Sequence, residues 1–143
     1  MNANCVFCGI VSKRHDILYE GELCFVMPSK YPVSLGHVLV IPKAHYKDIY
    51  KMPVPVLSEM LKLTNAFNNI ASKKLKAIGV KDIANNGASA GQTVFHAHMH
   101  IIPVYGKIGM YAIGKHAVSN GEMPPSMEKA YERIAKAADS LKL

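Results

Sequence analysis

No segment of the chain reaches the roughly 18 consecutive apolar residues that a membrane-spanning helix needs. No charged stretch precedes the apolar residues of "MNANCVFCGIVSKRHD" as one would in a secretory signal. A cytoplasmic location without a membrane partner is therefore the expectation. Repeats, low-complexity tracts and linkers are also missing. With half of its 143 residues apolar, the chain is expected to form one domain over 1–143, with a real core, or one protomer of a small oligomer. Cysteine is scarce, at three residues. In a reducing compartment the pair Cys5 and Cys8 of "CVFC" suggests metal binding or redox chemistry rather than a structural disulfide. Cys24, inside "LCFVM", reads as a small core residue.

Acidic residues are outnumbered 10 to 17 by lysine and arginine, for a net charge of +7, which favours anionic partners. The basic residues are scattered, however. The one tight group, Lys73, Lys74 and Lys76, sits in a helical stretch and reads as a solvated face. Nothing interleaves basic and aromatic residues in the manner of a nucleic-acid module, so nucleic acid ranks last among partners.

The patterns that are present describe an α+β chain. "LCFVM" (23–27) and "HVLVIP" (37–42) are rich in β-branched and aromatic residues and predict two strands joined by the loop "PVSLG". From Pro53 to Ile78, Val56, Met60, Leu63, Phe67, Ile70, Leu75 and Ile78 recur at helical spacing, with prolines opening the stretch and Gly79 following it. "KDIANNGASAGQT" holds a short strand and a loop of small and polar residues. Pro124, Pro125 and Ser126 introduce a second helix with Met127, Ala130, Ile134, Ala138 and Leu141 on one face.

Against this background "GQTVFHAHMHIIP" stands out, because it holds three of the seven histidines at every second position. Read as a strand over 96–104, it points His96, His98, His100 and Ile102 one way, and Ala97, Met99 and Ile101 the other. Same-face neighbours are then roughly 6.5–7 Å apart. One phosphate could touch two of the rings, whereas one metal ion held by all three would be difficult. A neutral imidazole can attack phosphorus, and a protonated neighbour can supply a leaving group with its proton. In the preceding "AGQT", Gly91 permits close backbone approach, while Gln92 and Thr93 offer hydrogen-bond donors to phosphate oxygens. Small residues, donors and histidines together suit phosphoryl or nucleotidyl transfer. His15 and His116 carry no assignment.

"HAHMHII" resembles the H-φ-H-φ-H-φ-φ signature of the histidine triad (HIT) nucleotide hydrolases and transferases. "CVFCGI", "GHVLVIPKAH" and "NNGASAGQTVFHAHMHIIPVYG" look like segments of the same family in the usual order, covering about the first 110 residues. The resemblance implies a five-stranded antiparallel sheet with a long helix and a C-terminal helix, usually as a homodimer. It implies that His98 attacks an α-phosphorus to form a nucleotidyl-histidine intermediate that water hydrolyses. His96 would orient the nucleophile through its carbonyl, His100 would contact phosphate oxygens, and Thr93 would help protonate the leaving group. Asn85 and the backbone around Gly91 and Gln92 match phosphate- and nucleoside-binding positions.

A purine pocket carries over as Val6, Phe7, Ile10 and Met27, all apolar as a base slot requires, although core packing explains each equally well. Ser29 stands where the family commonly has Asp or Asn for the ribose hydroxyls, and it lacks the bidentate carboxylate. His37 matches a recurrent family histidine, yet a hydrogen-bonded strand residue explains it as well. Bacterial-type members also imply a structural zinc on Cys5, Cys8, His45 and His96, with the cysteine spacing of a half-site. The cysteine pair, Asn85 and "IPKAH" bring the chain nearest the phosphoramidase-like branch, acting on purine nucleoside monophosphate conjugates. The alternatives are a dinucleoside polyphosphate hydrolase or a zinc-stabilised purine nucleotide binder with little turnover. The chain has no tryptophan, whereas some phosphoramidases carry one near the C terminus that can contact the leaving group.

Overall fold

The computed structural model describes residues 2–106 and 124–143. In chain order the elements are α1 (Val6–Lys13), β1 (Tyr19–Glu20), β2 (Cys24–Pro28), β3 (Val38–Pro42), α2 (Val54–Leu75), β4 (Gly79–Ile83), β5 (Met99–Val104) and α3 (Met127–Ala138). The strands form one antiparallel sheet in the order β1-β2-β3-β5-β4.

The register explains why β2 and β3 read as unbroken apolar runs. Both faces of these two strands are covered, so no position in them is left for a polar side chain. Val26 lies opposite Val40, and Val38 opposite Ile101. These residues join the larger core, which α2 completes with Val56, Met60, Leu63, Phe67, Ile70 and Leu75, and α3 with Ala130, Ile134 and Ala138. On the other face Phe25 lies opposite Ile41, and Met27 opposite Leu39; Phe7 of α1 packs onto this smaller cluster. His100 lies opposite Leu39, so the histidines belong to the α1 face.

Local chemistry sets the boundaries. Pro55 lies in the first turn of α2, and Lys76, with φ 62°, turns the chain out of the helix. The helix therefore ends three residues before the Ile78 of the sequence reading. Ile78 instead donates its N–H to the Val104 carbonyl at 2.8 Å and leads into β4. Ser126 caps α3 by accepting from the Lys129 N–H at 3.2 Å. Leu141 lies beyond the end of α3 but still packs against the core. The Glu59 carboxylate accepts from the Leu23 and Cys24 N–H groups and pins the β1–β2 turn to α2.

Two elements had no residues assigned to them from the sequence, although the resemblance implies the fifth strand. The strand β1 has only two residues, too few for any periodicity. The helix α1 has no side-chain cap and no acidic residue in its first turn. The histidine strand is also shorter than 96–104. Ladder pairing begins at Met99, because Ala97 donates its N–H to Tyr46 at 2.7 Å instead of to β3. The alternation survives this departure: Ala97 and Ile101 are buried in the larger core, while the histidines face α1.

Candidate active site and metal centre

Four side chains far apart in sequence converge where α1 meets the histidine segment. Cys5 immediately precedes α1, Cys8 lies in its first turn, His45 follows β3, and His96 precedes β5. Their ligand atoms all lie within 4.8 Å of one another. Cys5 Sγ to His96 Nδ1 is 3.3 Å, Cys8 Sγ to His45 Nδ1 is 3.5 Å, and Cys8 Sγ to His96 Nδ1 is 3.7 Å. A tetrahedron with Zn–S near 2.3 Å and Zn–N near 2.0–2.1 Å has S···N edges of about 3.5 Å, so these atoms stand where such an ion would hold them. His96 Nε2 lies 2.8 Å from the Pro42 carbonyl. That contact requires Nε2 to carry the proton and leaves the Nδ1 lone pair for a metal. His96 is fully buried, and burial, helped by the nearby His45 and His98 and opposed by the Pro42 carbonyl, brings its pKa down to about 4. The ring is thus held neutral, as a ligand must be. Cys5, Cys8, His45 and His96 form a site able to hold a metal ion, and its donor set suits zinc.

His98 leads away from that cluster. Its Nδ1 lies 2.7 Å from the His96 carbonyl, so Nδ1 donates and Nε2 keeps its lone pair. Burial lowers the His98 pKa, against the opposing effect of that carbonyl. The ring stacks edge-on against Phe7 and His100, with centroids 5.2 and 5.0 Å away. Phe7 also meets His96 edge-on at 5.6 Å, so one ring braces both histidines from between the two cysteines.

The third histidine is held by another. His37 Nε2 lies 3.0 Å from His100 Nδ1. The backbone N–H of Val33 donates to His37 Nδ1 at 3.1 Å. An accepting Nδ1 puts the His37 proton on Nε2, which then donates to His100 Nδ1. The His100 proton must accordingly sit on Nε2. Burial, and then the neighbouring charge of His100 on His37 and of His98 on His100, brings both pKa values to about 4. Tyr131 of α3 donates to the His37 carbonyl at 2.7 Å, and Ser29 donates its N–H to that same carbonyl at 3.0 Å. Gly36, just before His37, has φ 83°, and a methyl there would collide with Leu75.

The loop ahead of the histidines corrects one expectation. The Gln92 side chain is spent inside the loop: its oxygen accepts from Gly87 N–H at 2.8 Å, and its amide donates to Lys47 and Val94 carbonyls at 2.7 and 3.0 Å. Even its backbone N–H donates to Gly87. Gln92 shapes the loop and has no donor left for a phosphate. Thr93 is exposed, Asn85 is half-buried, and Gly91 turns beside Asn85 with φ 91°. Of the apolar set, Phe7 and Met27 are buried, Ile10 packs against their cluster, and Val6 is 57% exposed. Ser29 is half-buried at the end of β2. His15 pairs with Asp16 at the surface, and His116 lies outside the described residues.

The roles of Val33, Pro42 and Tyr131 had no sequence signal. Two act through the backbone, and the third acts through a hydroxyl more than ninety positions from its partner.

A model of the HIT domain matches residues 12–107. The chain belongs to the HIT family. The protein Hit of Bacillus subtilis is 35% identical over 139 residues, covering 93% of both chains. An adenylylsulfatase, HINT3 of Arabidopsis thaliana, is 37% identical over 102 residues, which are 70% of this chain and 52% of that protein. Among solved structures, a zinc-bound histidine triad family protein of Mycobacterium smegmatis superposes with TM-score 0.75 at 29% identity, covering 95% of this chain and 94% of the other. A hypothetical histidine triad nucleotide-binding protein of Sulfolobus tokodaii gives 0.76 at 30%, covering 94% and 92%. The antiparallel five-stranded sheet and its helices are those of the HIT fold, and the zinc-bound neighbour agrees with the Cys–His cluster. Among the described residues no helix is long and apolar enough to cross a membrane.

Proposed function

We propose that this HIT protein is a hydrolase acting at the α-phosphorus of purine nucleoside monophosphate conjugates through a nucleotidyl-histidine intermediate on His98. The observation that carries the reading is the tautomer of His98. With Nδ1–H tied to the His96 carbonyl, its Nε2 presents a neutral lone pair, the form a histidine nucleophile needs. Attack forms a P–Nε2 bond and breaks the bond to the amine or oxygen leaving group, which takes up a proton. Water then displaces the histidine and releases the nucleoside monophosphate. His100, with its proton on Nε2, donates to a phosphate oxygen on which charge builds up. Thr93, exposed just ahead of the triad, assists the departing group. Gly91 and Asn85 line the phosphate approach. Phe7, Met27, Ile10 and Val6 offer the base an apolar surface, and Ser29 gives the ribose one hydrogen bond.

Cys5, Cys8, His45 and His96 would hold a zinc ion that clips the N-terminal segment to the histidine strand, a structural part only. Residues 1–143 would form one HIT domain. It would pair as a homodimer across the outer edge of β4, which has no partner strand among the described residues and is preceded by the exposed Ile78.

The phosphoramidase-like preference is tested by measuring turnover of adenosine 5′-phosphoramidate and of diadenosine tri- and tetraphosphate side by side. Faster turnover of the phosphoramidate supports it. Preference for the dinucleotides would move the protein to the polyphosphate branch, and AMP binding without any turnover would make it a binding protein.

A further inference from the structure

The groove between α2 and α3 lies outside everything described so far. It encloses about 570 Å³ and is rimmed by Lys73 and Lys74 from one helix and Arg133 and Lys136 from the other, over apolar Ile70 and Leu141. No carboxylate lines it, and none of the four cations forms an ion pair among the described residues. Lys73 and Lys74 looked in the sequence like a solvated face; folding brings them opposite two further cations. Lysines in the last turns of α2 and α3 do complement the helix dipoles. That effect explains neither Arg133 nor the convergence of both banks over apolar side chains.

We infer that this groove is a docking surface for an acidic, amphipathic helical segment of a partner protein. Four cations with no ion-pair partner among the described residues call for a partner bearing carboxylates, and the partly buried Ala66, Ala137 and Leu141 between them call for one that also brings aliphatic side chains. An amphipathic helix laid between two helices satisfies both demands at once. A single-stranded nucleic acid satisfies only the first, because no aromatic ring lines the groove for a base to stack on. A small anion is a poor fit as well, since all four cations are exposed and none is buried to enclose it.

The test uses the full chain and a labelled helical peptide with leucine at every third or fourth position flanked by glutamates. A scrambled peptide of the same composition and a single-stranded oligothymidylate serve as competitors in fluorescence polarisation. The helical peptide is expected to bind, with the scrambled peptide and the oligonucleotide each at least about tenfold weaker. Lys73→Glu combined with Arg133→Glu should weaken peptide binding by a similar factor with only a small fall in melting temperature, since both side chains are exposed and only Lys73 complements a helix dipole. Absence of binding, equal affinity for helical and scrambled peptides, or tighter binding of the oligonucleotide would each overturn the inference.

Discussion

His96 and His100 lie two residues to either side of His98 and are held by opposite means. His96 turns its Nδ1 into a cluster of two cysteines and a second histidine, and its Nε2–H closes on the Pro42 carbonyl. Both nitrogens are spent, and its carbonyl alone reaches His98. His100 spends only Nδ1, on His37, and keeps Nε2–H for whatever enters the site. The same residue type thus serves as an anchor on one side of His98 and keeps a donor on the other. The difference comes from what is packed beside each ring: thiols for His96, and a tautomer-fixed imidazole for His100.

Removing the residue between them should have the largest effect. His98→Ala is expected to lower turnover by at least about a thousandfold while AMP still binds, measured by steady-state kinetics and calorimetry. Comparable turnover in the variant would dissolve the comparison, since the outer histidines would then have nothing to orient. On the anchor side, metal analysis of protein purified without chelator should find about one zinc per chain. Cys8→Ser should lose it and lower stability by about 3 kcal/mol or more in chemical denaturation. Full metal content and unchanged stability in that variant would remove His96 from the anchor role.

On the donor side, His37→Ala should reduce kcat about 10- to 100-fold with metal content unchanged, because His100 loses the partner that fixes its proton. His37→Gln, which keeps an N–H for His100, should recover part of that loss. A rise in KM alone would assign His37 to binding instead.

The smallest effect is a pH dependence. His37 and His100 ordinarily titrate near 6.5 and do so near 4 in the fold. Above 6.5 both are neutral folded or unfolded, and stability is at its full value. Between 6.5 and 4 the unfolded chain takes up protons that the folded chain refuses, so stability must fall as the pH drops through that window. Melting curves of chelator-treated protein, with and without His37→Ala, should show the slope shrink in the variant. An unchanged slope would show that the pair does not stay neutral.

Much of this was legible in the sequence, for physical reasons. The α2 pattern was readable because Leu63, Phe67 and Ile70 must all meet one sheet face, and β2 and β3 because both of their faces are buried. The ligand set was reachable through the spacing of Cys5 and Cys8 together with family likeness. Illegible were the parts made by the backbone. Nothing in "YPVSLGH" says that the Val33 N–H sets a tautomer, and nothing in "IPKAH" says that the Pro42 carbonyl claims His96. Gln92 read as a phosphate donor because its residue type is right; only the loop path shows that Gly87, Lys47 and Val94 have already claimed it.

The central claim is that His98 Nε2 becomes bonded to phosphorus. The most direct test is acid-free rapid quenching of the enzyme during turnover of adenosine 5′-phosphoramidate, followed by intact-mass and peptide mass spectrometry. The expected result is one adenylyl group, mapped to His98 and absent from His98→Ala. An adduct on another residue, or none at any time while product accumulates, would contradict it.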